Sequence, residues 1–486
     1  MNKITFILLV ILLSGFSPGI AQTNNHLRFG GKDNDHGYSM VFDNTEKIII
    51  AGSTRSFGKG SDDYYLIKTN ELGETDFQKT FGWAHSEIAR SVAIAADGGY
   101  VIFGESWDYG HGREDMWLVK TNEDGEKQWD QFFGGYHTDQ GISVESLPDG
   151  FACLGYTSSQ PGTTRGNFLL SRTDLDGNLL WENNYGTPYL DFGFSVKQLP
   201  DGGFALLGNS GGFFNLARAD FLNHDSDILL IITDDMGEEL NRITWGGNGH
   251  DWGKDMLLTE NTILITGSSQ NKETSSFDIY LSEITYEGRL LHEYYYGGEG
   301  FEFGESICQT TDSNLYLVGT SSTGSPKIQT DIYIVKTKMN GELLWEQRIG
   351  GSGSDYGYDI LPLPDSGCIV LGEIEDTTLM TKDIYLIRLN KNGDIMSIGR
   401  PAEPGEPELV VYPNPTHRVL HIKWTNQLES YAGVLKIFTL TGELVWEEKI
   451  NGSDEKTVSL PIIKPQMLIY QITSKNGSFT GNLIIQ

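Results

Sequence analysis

A phrase of roughly fifty residues returns seven times along this chain, and that recurrence limits the fold more than any single motif can. The phrase opens on an aromatic residue and Gly-Gly, then enters a strand-like run through Asp-x-Gly. It returns along a second run ending in Gly, and closes with Asp-x-Tyr-Leu-x-Lys-Thr and a Gly turn. Its anchors are Gly30, Gly82, Gly134, Gly186, Gly246, Gly297 and Gly350, so the steps are 52, 52, 52, 60, 51 and 53 residues.

Within one unit, Tyr38 to Phe42, Lys47 to Ala51, Tyr64 to Thr69 and Asp76 to Phe81 form four short runs separated by turn residues such as Asp43-Asn44 and Leu72-Gly73. Four strands per unit is the content of a propeller blade, and the third run returns as Met116 to Thr121, Ile332 to Thr337 and Ile384 to Leu389. Its alternation predicts one face in the core between blades. A lone four-stranded sheet cannot bury its faces, so seven must pack together, and a ring leaves no free end. The fold class is therefore all-β, a seven-bladed β-propeller. An open solenoid is the competing repeat architecture, but its coils are shorter and do not need four strands. Ring closure falls to His26–Phe29, which copies the end of a fourth strand, beside Asp394–Ile398, and the sequence leaves open which segment takes the edge.

Composition agrees and narrows the partners. Acidic residues number 66 against 35 Lys and Arg, a net charge of -31, which repels nucleic acid and anionic lipid. Residues 1–21 carry Lys3, the apolar run Ile4 to Leu13 and small residues ending Gly19-Ile20-Ala21, the layout of a cleavable signal peptide; no later stretch predicts membrane insertion. The three cysteines, Cys153, Cys308 and Cys368, each sit in an apolar strand pattern, as buried free thiols do.

In a propeller, the loops from a fourth strand to the next blade and from second to third strand share one face, where function is sought. Asp35, Asp139, Asp191, Asp251 and Asp355, with Glu87 and Glu302 standing in, place a carboxylate in each blade's Asp-x-Gly turn. A ring of acids could bind a cation or supply a glycosidase pair. The architectural reading is that such an Asp accepts backbone N–H bonds to hold its loop, and recurrence in every unit favours it. The acids opening the third strands, Asp63, Asp115, Asp227, Asp278, Asp331 and Asp383, with Asn167 in blade three, read as turn caps. His36, His85, His137 and His250 read as surface-loop residues. No metal or cofactor motif and no catalytic signature is present, so an enzyme is not the favoured class.

Positions that vary between blades are freer to serve binding than those that repeat. Beside the Asp-x-Gly turns stand Phe192, Phe194, Trp252, Phe301, Phe303, Tyr356 and Tyr358, and of these Phe192, Trp252, Phe303 and Tyr356 are the candidate binding residues. Aromatic faces flanked by acids suit sugar or peptide recognition; the competing reading packs the rings into seams between blades. Blade four carries the longest insertion, Asn209 to Ser226.

After Ile398 the repeat stops, and 401–407 form a Pro-rich acidic linker. Seven strand-like runs between Leu409 and Ile485 predict a small C-terminal β-sandwich. Tyr412-Pro413-Asn414-Pro415, then Leu420-His421-Ile422, then Leu435 to Phe438 with Gly442 and a last hairpin, resemble the type A sorting domain of the Bacteroidetes type IX secretion system. The resemblance implies export through the periplasm to the outer surface or the medium, the type IX machinery as partner, and Tyr412, Pro413, Asn414, Pro415 and Gly442 as sorting-motif residues. The expected organisation is a signal peptide (1–21), a propeller (22–400, blades starting near the anchor glycines), a linker (401–407) and a sorting domain (408–486). The expected function is a secreted or surface binding propeller for a glycan or protein, of open oligomeric state. A polysaccharide hydrolase using the face carboxylates and a non-binding surface component are the alternatives.

Overall fold

The computed structural model describes residues 27–396 and 408–485, save 109, 111, 160–165, 212–224, 272, 299, 324–328, 413–418, 426–430, 440–443, 453–454, 462–465 and 475–476. The signal peptide, the linker and the centre of the blade-four insertion lie outside these residues.

Each repeat folds into an antiparallel sheet whose strands follow one another outward from the axis. Blade one comprises Asp35–Phe42, Ile48–Thr54, Asp63–Thr69 and Thr75–Phe81. The first strands of blades two to seven are Glu87–Ile94, Asp139–Leu147, Phe192–Gln198, Asp251–Leu258, Phe301–Gln309 and Tyr356–Pro362. Each touches the first strands of both neighbours, and that of blade seven touches that of blade one, so the ring is closed. Blades five and six are also joined by a parallel pairing of Phe277 with Phe301.

Burial explains the middle strands. Ile48-Ile49-Ile50-Ala51 and Tyr64-Tyr65-Leu66-Ile67 are buried along their whole length. Ile48, Ile50, Tyr65 and Ile67 pack with blade seven, while Ile49, Ala51, Tyr64 and Leu66 pack with blade two. The expectation of one core-facing side is thus corrected: a blade is covered on both faces, so its central strands read as continuous apolar runs. Among the described residues the propeller has seven apolar clusters, one at each blade seam. The three cysteines are buried in these seams with no disulfide, and burial pushes each thiol pKa up.

The edge that the sequence left open is shared. Leu27–Phe29 pairs antiparallel with Thr381–Leu389, Arg28 opposite Tyr385, and so supplies the fourth strand of blade seven. Farther along the same edge, Ile395 bridges to Leu389. Blade seven is therefore held by both ends of the repeat region.

Past the propeller, Glu408–Tyr412, Val419–Thr425 and Glu455–Ser459 form one sheet. Tyr431–Phe438, Leu444–Gly452, Gln466–Ser474 and Gly477–Ile485 form a second. Leu420, Ile422, Leu435, Ile437, Val458, Leu468, Ile472 and Leu483 are buried in one cluster, the core of a small sandwich.

Candidate functional site at the channel mouth

All seven Asp-x-Gly acids are buried, Asp35 and Glu87 with no exposed surface. Asp35 accepts the Gly31 N–H at 2.7 Å and the Ser56 hydroxyl at 2.6 Å, and Thr54 donates to its other oxygen. The same bond, from a backbone N–H four residues upstream, recurs at Glu87 (2.9 Å), Asp139 (2.7 Å), Asp191 (2.5 Å), Asp251 (2.7 Å), Glu302 (3.2 Å) and Asp355 (2.6 Å). These acids staple the loops at the mouth. Their desolvation is costly: burial pushes Glu87 up to about 7 and Asp191 and Asp355 up to about 6, against the lowering effect of the N–H bonds.

Two residues further on, every first strand breaks register. A β-bulge falls between Gly37 and Ser39, and again at Ala89/Ser91, Gly141/Ser143, Gly193/Ser195, Gly253/Asp255, Gly304/Ser306 and Gly357/Asp359. A bulge leaves one residue out of the ladder and re-aims its side chain. Here the skipped residues are Tyr38, Arg90, Ile142, Phe194, Lys254, Glu305 and Tyr358. They interact across blades: the Arg90 guanidinium lies 4.8 Å from the Tyr38 ring, Tyr38 meets Tyr358 edge-on at 5.3 Å, Lys254 sits 4.4 Å over Phe194, and Lys254 pairs with Glu305 at 3.2 Å. This layer forms a floor across the axis.

The residue after each bulge closes a hydrogen-bonded ring. Met40 N–H donates to Asp359 (2.8 Å), Val92 to Ser39 (3.3 Å), Val144 to Ser91 (3.1 Å) and Val196 to Ser143 (3.3 Å). Ser195 donates to Asp255 (3.2 Å), Ile307 N–H to Asp255 (3.2 Å) and Ser306 to Asp359 (2.9 Å). All seven seams are bridged. Sequence reasoning missed this ring; its signal was a Ser or Asp two residues beyond each Asp-x-Gly glycine or its counterpart.

The candidate binding residues stand one layer above the floor, toward the loops. Phe192 is half-buried and stacks on Tyr156 of blade three at 4.5 Å. Phe303 is half-buried beside Trp252, with ring centres 5.9 Å apart. Tyr356 is half-buried with the Lys382 ammonium 4.0 Å from its ring. Trp252 differs: it is 8% exposed, donates its indole N–H to Ser226 at 2.7 Å and stacks on Phe277 at 5.1 Å. The structure brings Trp252 and Phe303 together and sets Phe192 and Tyr356 in separate sectors. Phe301, 40% exposed, joins the Trp252 sector through Phe277.

Blades seven, one and two line the opposite sector with charge. His36 Nδ1 lies 2.6 Å from the buried Glu373, which also faces Lys382 at 3.3 Å. Burial works to raise the Glu373 pKa, but His36 and Lys382 outweigh it and hold the carboxyl below its usual range. Glu105, fully buried and bonded by Arg90 at 2.8 Å, is raised by burial despite that partner. The surface-loop expectation for the histidines is corrected at two positions. His36 belongs to a first strand, because that strand begins at Asp35, earlier than the turn pattern suggested, and His250, just before its strand, is buried beside Ser226. His85 is exposed, paired with Asp108. Among the described residues no group of three or more His, Cys, Asp or Glu could hold a metal ion.

Of the sorting-motif residues, Tyr412 ends the strand Glu408–Tyr412 opposite His421. Pro413, Asn414, Pro415 and Gly442 lie outside the described residues.

Residues 410–486 match the secretion system C-terminal sorting domain family. The protein is thus a type IX secretion cargo, a β-propeller with a sorting tail, bound for the cell surface or the medium. A search of curated proteins gives no match. Among solved structures, the chain is similar to puromycin hydrolase (13% identity, 71% of this chain and 51% of that one, TM-score 0.33). It is similar also to a glucose dehydrogenase (11%, 62% and 95%, 0.34) and to an α-L-arabinofuranosidase from Fusarium graminearum (10%, 76% and 98%, 0.36). The chain spans about half the length of the puromycin hydrolase it matches.

Proposed function

We propose that the exported propeller is a binding protein whose ligand, a glycan or a protein segment, seats on the channel mouth. The observation that carries this reading is the half-buried set of rings Phe192, Phe303 and Tyr356 above a floor of interlocked side chains. Each ring is held by stacking or by a cation, so little rotamer freedom is lost when a ligand lands on it. Trp252 backs Phe303 from behind. The rings offer apolar faces to sugar C–H groups or a peptide side chain, and His36 and Lys382, both held by the buried Glu373, offer polar contacts across the mouth. Binding is favoured over hydrolysis by the Asp-x-Gly acids, every one of which is buried and bonded to its own loop. Display by the sorting tail makes the type IX machinery the export partner.

The test is binding of residues 22–400 to a glycan array and to surface-protein extracts, with Phe192→Ala and Tyr356→Ala alongside. A specific signal weakened at least tenfold in either variant is the expected result. Silence on both, or a signal indifferent to both variants, would leave a scaffolding role. Release of reducing ends from a bound polysaccharide would instead support the hydrolase.

A further inference from the structure

A cleft of about 610 Å³ opens between blades two and three, at the loops facing away from the channel mouth. Its origin can be traced to two small residues. The turn between first and second strands reads Leu147-Pro148-Asp149 in blade three, Leu199-Pro200-Asp201 in blade four and Leu363-Pro364-Asp365 in blade seven. In blade two it reads Ala95-Ala96-Asp97. The backbone closes alike: the N–H groups of Ala95, Leu199 and Leu363 donate to the carbonyls of Gly99, Gly203 and Gly367. Alanine side chains therefore leave space at a turn of unchanged geometry.

The lining is preorganised. Lys120 is buried, and its ammonium donates to Asp97 (2.8 Å), Gln128 (2.9 Å) and the Thr121 carbonyl (2.7 Å). An ammonium has three donors, so Lys120 is fully engaged and acts by positioning the carboxylate and the amide. Burial raises the Asp97 pKa, but the Lys120 and Gly99 bonds outweigh it, so the group stays an ionised acceptor. Trp129 forms one wall, steadied by Gly177 of blade three, where a Cβ would come within 2.5 Å of the indole. The other rim is the turn carrying Leu175 and Asp176, both exposed, fixed by Asp174 accepting the N–H groups of Asp176 (3.0 Å) and Asn178 (2.8 Å).

We propose that this cleft binds a neutral hexopyranose unit, free or at the end of a longer glycan. The indole and Leu175 offer an apolar surface to one face of a sugar ring, while Asp97, Asp176 and Gln128 offer acceptors and a donor to its hydroxyls. With Lys120 already engaged, an anionic sugar finds no free cation among the lining residues. The volume lies within the roughly 300–1,000 Å³ of small-ligand pockets. This is a second site, independent of the channel mouth.

The full mature chain is probed by saturation-transfer NMR with maltose, cellobiose and lactose. The variants are Ala96→Pro, Asp176→Ala and Tyr356→Ala. Ala96→Pro installs the residue that blades three, four and seven carry at this turn, and an unchanged melting temperature verifies its fold. Transfer to the ring protons of at least one disaccharide is expected, with affinity falling at least tenfold in Ala96→Pro and Asp176→Ala and holding in Tyr356→Ala. No transfer from wild type, or transfer that survives both cleft substitutions, would overturn the proposal. Survival in those two with loss in Tyr356→Ala would overturn it while supporting the mouth as the binding face.

Discussion

The first glycine of the anchor is present in six blades because two carboxylates close on it, and at Gly186 because the Asn167 side chain does. A Cβ at Gly82 would fall on Asp63 Oδ1 and lie 2.5 Å from Glu87 Oε2, and a comparable collision waits at Gly246, Gly297 and Gly350. Gly82→Ala should therefore cost about 1–3 kcal/mol, read as a lower urea midpoint without a change in the slope. The same acids set the pH response. Burial raises Glu87 to about 7 and Asp63 to about 6 in the folded chain, while unfolded carboxyls titrate near 4. Between those values the native state holds more protons than the unfolded state, so stability falls as pH rises from about 4 to about 7. Self-repulsion at net charge -31 acts in the same direction. The melting temperature should be higher at pH 5 than at pH 8, and Glu87→Gln, which keeps an acceptor for the Trp83 N–H, should flatten that difference and stabilise the protein at pH 8 by up to roughly 3 kcal/mol. A melting temperature that climbs toward pH 8 in the wild type would contradict this sign.

At the scale of elements, the bulge and the ring behind it are one device. The second-strand glycine opposite each bulge, Gly52 in blade one and Gly267 in blade five, faces the carbonyl of His36 or Trp252 so closely that no Cβ fits. That approach lets the next side chain turn into the axis. Asp359 links blade six to blade one by accepting from Ser306 and Met40, so Asp359→Ala should leave the Met40 N–H without its acceptor, at about 1–3 kcal/mol. Hydrogen exchange should quicken in Asp35–Phe42 and Tyr356–Pro362 before it does in blades three and four; uniform exchange across the seven first strands would argue against the ring. The period, the four strands and the circular plan were legible in the sequence because each repeats. The ring was not, since Ser39, Ser91 and Ser143 look like ordinary polar positions until the strands are curled around an axis. Nor could Trp252 be told from Tyr356 by pattern: both follow the turn acid, and only Trp252 finds a hydroxyl partner, Ser226, 26 residues upstream in the preceding loop.

The whole molecule divides its labour between a ring that is rigid enough to present a surface and a tail that delivers it. Leu27–Phe29, which begins shortly after the proposed cleavage point, completes the last blade, so both ends of the repeat region meet at one edge and the sandwich beyond it keeps its own core. Removal of the tail should therefore spare the propeller and abolish its delivery. The tail was legible as a linear motif, whereas the residues of that motif beyond Tyr412 carry no geometry among the described residues. The decisive measurement is the location of the chain after deletion of residues 408–486 in a host with a working type IX system. The account predicts a folded, protease-resistant propeller retained in the periplasm, with the full-length chain on the surface or in the medium. Normal surface display of the truncated chain would contradict it.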